Sequence, residues 1–445
     1  MTTQPRNAFD ALGLNPKLVK AIADLGFTRP TPIQEAAIPP ALAGRDVLAC
    51  AMTGSGKTAA FVLPILQRLM DQPRGVTRAL ILTPTRELAA QVADHLTELA
   101  RHTGIHAAAV FGGVNAGPQE KAFRRGVDVI VGTPGRLLDH FQNDYAHLSE
   151  LEVLVLDEAD RMLDMGFLPD IRRVLKHLPR APRQTLFFSA TIPDPIVELS
   201  RELLHQPARI AVERKSAPPS AVTQALYPVP GHLKVKLLST LLQRGDIGNA
   251  IVFCRTKHRA NRLAERLEKQ GLSVGRIHGN RSQAQRTAAL ASFKEGGIRV
   301  LVATDIVARG IDVEALDHVV NFDVPHSPDD YIHRVGRTAR AETTGDAYTL
   351  VSPEEEGDLR AIEHALGRRI ERRTVDGFDY AAAAEARLEV PIAERIAAIR
   401  SRRAQDRERS RANAARSGGG SSSGRTPAPR GDGPRGPRRG GGRGR

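Results

Sequence analysis

Short, mostly apolar runs alternate with amphipathic stretches from residue 46 onward. Asp46–Ala51, Ala79–Thr83, Ala107–Phe111, Val127–Val131, Val153–Leu156 and Thr185–Phe188 have the length and character of buried strands. Between them lie segments such as Glu87–His102, whose apolar residues recur at helical spacing. Strands and helices in alternation predict a parallel α/β sheet. Around Val212–Val222 the pattern breaks into charged, small and Pro-rich residues, which predicts a linker. It then resumes, with Ile251–Cys254, Val274–His278, Val300–Ala303, Val319–Phe322 and Ala347–Val351 predicted as strands of a second sheet. The expected architecture is α/β: two tandem parallel-sheet domains, 1–211 and 223–374, joined by 212–222. The cleft between two such domains is a common place for a ligand.

Beyond Thr374 the character changes. Residues 375–416 are Ala-, Glu- and Arg-rich and are predicted to be partly helical, with an interruption at Pro391. Residues 417–445 are Gly, Ser, Pro and Arg with almost nothing apolar, so a disordered tail is expected: it cannot bury enough surface to offset its ordering entropy. No internal repeat of solenoid length is apparent.

Charge sharpens this division. The 445 residues carry a formal net charge of +14, which favours a polyanionic partner. Residues 400–445 hold 14 Arg, no Lys and 3 acids, leaving the rest of the chain only about +3. Aromatics are 4% and Trp is absent, so stacking platforms are not expected to be the main binding device. Cys50 and Cys254 lie far apart in apolar runs and are expected to be two buried thiols, with no metal-ligand spacing. No apolar signal core or run near ~18 residues appears, so a cytoplasmic protein with no membrane span is expected.

Two segments carry candidate chemistry. Ala51-Met52-Thr53-Gly54-Ser55-Gly56-Lys57-Thr58 follows a predicted strand and opens the helical run Ala59–Met70. Backbone N–H groups from Thr53 to Lys57 could converge on phosphate oxygens at a helix N-terminus. Lys57 would reach the β- and γ-phosphates and the Thr58 hydroxyl would hold Mg²⁺. Ala51 stands where the general P-loop has Gly. Farther on, predicted strand Val153–Leu156 delivers Asp157-Glu158-Ala159-Asp160 at its C-terminal end, where ligands bind in open parallel sheets. Asp157 would hold the metal's water shell, and Glu158 would orient and deprotonate an attacking water.

Together with Phe27-Thr28-Arg29-Pro30-Thr31-Pro32-Ile33-Gln34, these segments resemble the DEAD-box RNA helicases. Pro84-Thr85-Arg86-Glu87-Leu88, Gly112-Gly113, Thr133-Pro134-Gly135-Arg136 and Ser189-Ala190-Thr191 continue the series in order. Ala303-Thr304-Asp305, Arg309-Gly310-Ile311-Asp312 and His333-Arg334-Val335-Gly336-Arg337-Thr338-Ala339-Arg340 complete it; Ala339 stands where many relatives have Gly. Ala51 is the family's own pattern. The likeness covers about residues 9–370, and the compact core with its Arg/Gly tail looks most like the bacterial RhlE-type subgroup.

The resemblance implies two RecA-like domains that close on ATP, Mg²⁺ and single-stranded RNA, with a Q motif at 7–35. Gln34 would read the adenine edge, and Phe9 and Phe27 would shape its pocket, giving strict use of ATP. Thr53, Gly54, Ser55, Gly56, Lys57 and Thr58 would hold the phosphates, and Gly310 and Asp312 the ribose side. Arg337 and Arg340, three apart and expected on one helical turn, would reach the γ-phosphate from the second domain. Asp160, Ser189, Thr191, His333 and Arg334 would couple closure to RNA; a helix-start cap is the alternative for Ser189 and Thr191. Arg86, Gly113, Thr133, Arg136, Arg286 and Thr304 would bind the RNA backbone. Implied partners are RNA, with ribosomal-particle or RNA-degradation machinery, and a monomer is expected. An RNA clamp, a DNA helicase and a P-loop transporter-type ATPase are the competing readings; the last lacks membrane segments.

Overall fold

The computed structural model describes residues 8–52, 54–180, 182–212, 222–305, 316–338 and 345–383. Its strands form two seven-stranded sheets. The first contains β1 (Val47–Cys50), β2 (Ala79–Leu82), β3 (Ala107–Val110), β4 (Val129–Gly132), β5 (Val153–Leu156), β6 (Gln184–Ser189) and β7 (Ala208–Ala211), in the order β3-β4-β2-β5-β6-β1-β7. The second contains β8 (Val222–Pro228), β9 (Ala250–Phe253), β10 (Val274–Ile277), β11 (Val300–Ala303), β12 (His318–Asn321), β13 (Gly345–Val351) and β14 (Glu371–Arg372), in the order β10-β11-β9-β12-β13-β8-β14. All pairings are parallel. Counted from β8, the second sheet repeats the first strand for strand. The chain therefore does contain a repeat, one of topology at domain scale.

Helical crossovers bury both faces of each sheet, which is why the strands read as continuous apolar runs. Along β5, Val153 and Val155 pack with Phe61 and Phe188 on one face. Leu154 and Leu156 pack with Met162 and Phe187 on the other, as a two-residue period requires. Register then places the site. β6 lies between β1 and β5, with Cys50 opposite Ser189 and Leu156 opposite Phe187. The loops after β1 and β5 consequently open on the same edge of the sheet.

Several expectations need adjusting. β8 starts at Val222, so the predicted linker overlaps it, and residues 213–221 lie outside the described residues. Past the predicted boundary at 374, Val375, Phe378, Tyr380 and Ala382 pack on the second core without forming a helix. Residues 384–445 lie outside the described residues. Cys254 is buried as expected, but Cys50 is only half-buried at the end of β1. Among the described residues, no helix is long and apolar enough to cross a membrane.

Candidate functional site

The turn after β1 is tight, and its glycines make it possible. Gly54 and Gly56 have φ of 79° and 91°, in the left-handed region that glycine alone enters at little cost. Gly56 also caps the helix Lys57–Leu69, and a Cβ there would lie 2.5 Å from Gln34 Nε2. Gln34, at the third position of the helix Pro32–Leu42, accepts from Thr31 N at 2.9 Å and donates to Gly56 O at 3.1 Å. Its amide thus braces the loop. Ser55 Oγ donates to Met52 O at 2.7 Å, and Thr58 is half-buried in the first turn of the helix. Lys57 is buried, and its ammonium has no hydrogen-bond partner. A buried cation without a hydrogen-bond partner at a helix N-terminus is suited to hold an anion.

The acids after β5 meet this loop. Asp157 and Glu158 are both buried. Burial pushes the Asp157 carboxyl well above the usual range; Lys57 pulls it down by less, and Glu158 adds to the rise. Burial opposes ionisation of Glu158 too, but Arg161, Lys57 and Arg337 outweigh it and hold this carboxyl below the usual range. Two adjacent carboxyls are thereby driven in opposite directions, the separation that acid–base chemistry uses. Arg161 Nη1 donates to Glu158 Oε2 at 2.6 Å. Glu158 itself has φ 51° and ψ 50°, a left-handed conformation that costs a non-glycine residue about 1–3 kcal/mol. Strain at that position is consistent with a side chain whose placement matters.

Asp160 faces the end of β6. Its Oδ2 accepts from Ala190 N at 3.1 Å, Thr191 N at 2.7 Å and Thr191 Oγ1 at 2.9 Å, while its own N–H donates to Ser189 Oγ at 3.2 Å. Neither Ser189 nor Thr191 caps the helix that follows them, which begins at Asp194 behind Pro193; the helix start that Ser189 does meet is that of Ala159–Asp164, through the Asp160 N–H. A cavity beside these groups is lined by Glu158, Asp160 and Arg161 from the first sheet's loops and by His333 and Arg337 from the second's. Arg334, on the helix Pro328–Val335, grips Asp305 through both carboxylate oxygens at 2.6 and 2.8 Å and Asn321 Oδ1 at 3.0 Å. That helix ends at Gly336, so Arg337 lies just beyond it, and Arg340, expected on the same turn, is outside the described residues. Thr338 instead bridges to Leu316, its hydroxyl donating to the Leu316 carbonyl.

The remaining candidates line the loops after β2, β3 and β4. Thr85 caps the helix Arg86–Leu99, accepting from Leu88 N at 3.3 Å. The Arg86 guanidinium lies on Gly112 and Gly113; a Cβ on Gly113, at φ 83°, would sit 2.0 Å from Arg86 Nη1. Thr133 heads the helix Pro134–Phe141 without a side-chain cap bond. Arg136 Nε donates to Gln119 Oε1 at 3.1 Å. Thr304, just after β11, is buried. Arg286, expected with this group, is turned instead to Glu87 of the first sheet: Nη2 lies 2.5 Å from Glu87 Oε1, which also accepts from Gln283 Nε2 at 3.0 Å.

A model of the DEAD/DEAH box helicases matches residues 31–199, and one of the helicase conserved C-terminal domain matches 233–342. The ATP-dependent RNA helicase CshA of Listeria monocytogenes is 43% identical over 380 residues, spanning 85% of this chain and 73% of that protein. The RNA helicase CrhR of Synechocystis sp. is 46% identical over 376 residues, spanning 84% and 76%. This chain belongs to the DEAD-box family of ATP-dependent RNA helicases. Among solved structures, S. cerevisiae Dbp5 bound to RNA and ADP BeF3 is similar with a TM-score of 0.76 at 33% identity, over 83% of this chain and 96% of that one. The DEAD-box helicase Mss116 bound to ssRNA and UDP-BeF gives 0.76 at 26% identity, over 85% and 82%.

Within this DEAD-box chain, Thr53, Gly310, Asp312 and Arg340 lie outside the described residues. Phe27 is 42% exposed and meets His95 edge-on, ring centroids 6.2 Å apart, whereas Phe9 is packed in the core of the first sheet. Glu87, Gln283, Gln119 and His140 were not picked out in the sequence. Glu87 stands in the Pro84–Leu88 motif and was within reach; the others carry no local signal.

Proposed function

We propose that this helicase closes its two sheets on ATP and single-stranded RNA, and that closure opens short RNA duplexes locally. The observation that carries the reading is that buried Glu158 is acted on by Lys57 from its own sheet and by Arg337 from the other, and that Glu158 and Arg337 line one cavity. Lys57, with the N–H groups of Gly54 to Gly56, would hold the nucleotide phosphates. Glu158, kept ionised, would orient the attacking water and accept its proton. Arg337 would complete the site only in the closed form, which makes hydrolysis depend on whatever favours closure. Mg²⁺ fits the donors present: a buried carboxyl at Asp157 that lacks enough positive charge, and the Thr58 hydroxyl, both hard oxygen ligands. When bound, the ion supplies charge neutralisation at the phosphates.

Arg86, Gly113, Thr133, Arg136 and Thr304 would contact the RNA backbone and its 2′-hydroxyls, without reading sequence. Asp160, Ser189, Thr191, His333 and Arg334 would link the two surfaces. A RhlE-type placement rests on the compact core and Arg/Gly tail alone, since the relatives named above are of CshA and CrhR type. Cytoplasmic location, a monomeric state, the domain bounds given above and partners in ribosome assembly or RNA degradation belong to the same reading.

Glu158→Gln tests the core of it. Hydrolysis should fall about 10²–10⁴-fold while ATP and RNA still bind, because a general base is lost and shape is kept. Turnover equal to the unmodified protein would refute the assignment.

A further inference from the structure

A buried amide behind the Arg136 surface does work that the family motifs do not announce. Gln119, on the helix Ala116–Arg125, is 5% exposed. Its Nε2 donates to Phe111 O at 3.0 Å. Its Oε1 accepts from Arg136 Nε at 3.1 Å and meets His140 Nε2 at 3.0 Å. Turning the amide over would set its N–H₂ against the Arg136 N–H and its oxygen against the Phe111 carbonyl, so the network fixes its orientation. With Oε1 as acceptor, His140 Nε2 must carry the hydrogen. The neutral ring then offers Nδ1 to the Tyr145 hydroxyl, 2.9 Å away. Burial, with Arg136 adding to it, lowers the His140 pKa and keeps the ring in that neutral tautomer; Asp139 and Glu120 oppose this weakly.

The two groups that Gln119 ties together are both on the candidate RNA surface. Phe111 leads directly into Gly112-Gly113, on which the Arg86 guanidinium lies. Arg136 Nη2 reaches the carbonyl at the far end of the same turn, Val114 O, at 3.4 Å, and Nη1 lies 3.8 Å from Asp139. One amide therefore sets both the pitch of the Phe111–Val114 turn and the direction of the Arg136 guanidinium.

We propose that Gln119, held by His140, is a positioning residue for RNA binding: it presents Arg136 and the Gly113 turn together in the geometry that meets the RNA backbone. The inference rests on the reading that Arg136 and Gly113 contact RNA. Without the amide, Arg136 keeps its charge but loses its direction, and ordering it on RNA becomes part of each binding event.

Gln119→Met keeps side-chain volume and removes the amide. Losing this hydrogen-bonded link should raise the RNA concentration for half-maximal ATPase about ten-fold, leaving the rate at saturating RNA within about two-fold. The same substitution should add little in an Arg136→Ala background, because both act through one group. A lower melting temperature with an unchanged RNA requirement would show a purely structural role and overturn the proposal. Should Gln119→Met fail to fold, His140→Phe removes the N–H that holds the amide and should shift the RNA requirement the same way, by less. A folded His140→Phe protein with no such shift would overturn the proposal as well. If Arg136→Ala itself leaves the RNA requirement unchanged, the RNA-path reading fails; if it raises that requirement while Gln119→Met does not, only the positioning inference fails.

Discussion

Glu87→Ala should uncouple the two sheets without touching the nucleotide. In the structure Glu87 Oε1 accepts from Arg286 Nη2 at 2.5 Å and from Gln283 Nε2 at 3.0 Å, and all three residues are buried. A charge-assisted hydrogen bond contributes about 1.5–3 kcal/mol and a neutral one about 0.5–1.5 kcal/mol. Against this, Glu87 Oε2, Gln283 Oε1 and Arg286 Nε are buried without partners, so the latch is not fully satisfied. Burial, with Arg86 adding to it, lowers the Arg286 pKa against the pull of Glu87, which again marks a desolvation cost. The net gain therefore belongs near the low end, about 2 kcal/mol, or roughly 30-fold in the closure equilibrium. We predict that RNA affinity measured by fluorescence anisotropy with a non-hydrolysable ATP analogue weakens about 30-fold in Glu87→Ala. Affinity without nucleotide should barely change, because the open form lacks the contact. Arg286→Ala should have a similar effect, and the double variant should be no worse than either single one. Undiminished RNA affinity with the analogue would refute the latch. Additive effects would show that Glu87 acts through its neighbour Arg86 instead.

Two further predictions follow from charge. In the second sheet, Lys234 Nζ donates to Phe322 O at 2.9 Å, to Leu350 O at 2.7 Å and to Glu355, so Glu355→Gln should leave a buried ammonium unpaired and cost about 3–5 kcal/mol in a denaturant titration. Burial lowers the Lys234 pKa and opposes ionisation of Glu355, yet Lys234 and Ser352 hold the Glu355 carboxyl below its ordinary 4.5; with every Nζ bond made, we take the pair as ionised. A carboxyl whose folded pKa lies below its unfolded one stabilises fully above about 4.5 and loses that contribution as pH falls through the folded value, so the variant's stability should vary less with pH in that range; an unchanged acid limb would contradict this. Deleting 400–445 removes 14 Arg and 3 acids, and should weaken RNA binding at low salt and flatten its salt dependence by roughly 0.7 in log–log slope per lost phosphate contact, with the ATPase rate at saturating RNA nearly intact; identical affinity and slope would make the tail a mere solubiliser.

How much of this was legible depended on whether the signal was local. Strands such as β5 and β11 stand where the apolar runs place them, because burial on both faces writes an uninterrupted pattern. β7 was missed since, at the edge of its sheet, it is only half-buried, and β14 is two exposed residues. β8 carries Thr, Gln and a final Pro, which disguise a strand whose interior is buried. The candidate phosphate site could be picked out because a strand end, a glycine turn and a helix start are contiguous. The Glu87–Arg286 and Gln119–His140 contacts were not, because each joins residues whose proximity exists only after folding. Arg337 falls outside the preceding helix for a local reason: Gly336 stands where that helix stops.

The repeated strand order explains why one half of the chain holds a nucleotide signature and the other does not. β1 and β8 occupy equivalent places, and each leads through a short turn to a helix that begins with a lysine, Lys57 and Lys234. After β1 the turn is small residues and left-handed glycines, and the ammonium that follows has no partner. After β8 the turn is Val229-Pro230-Gly231-His232-Leu233, and the ammonium that follows is saturated by two carbonyls and Glu355. A buried cation with every donor satisfied has nothing to offer a phosphate, whereas an unsatisfied one gains by meeting it. The same topology thus closes on itself in the second sheet and stays open in the first. What the second sheet brings to the first is a charge, Arg337, which lines the cavity beside Glu158 with His333 and helps hold that carboxyl ionised. On the function proposed above, a charge that must come from a different sheet would make the nucleotide site depend on the position of the whole second sheet, a physical basis for tying hydrolysis to what that sheet binds.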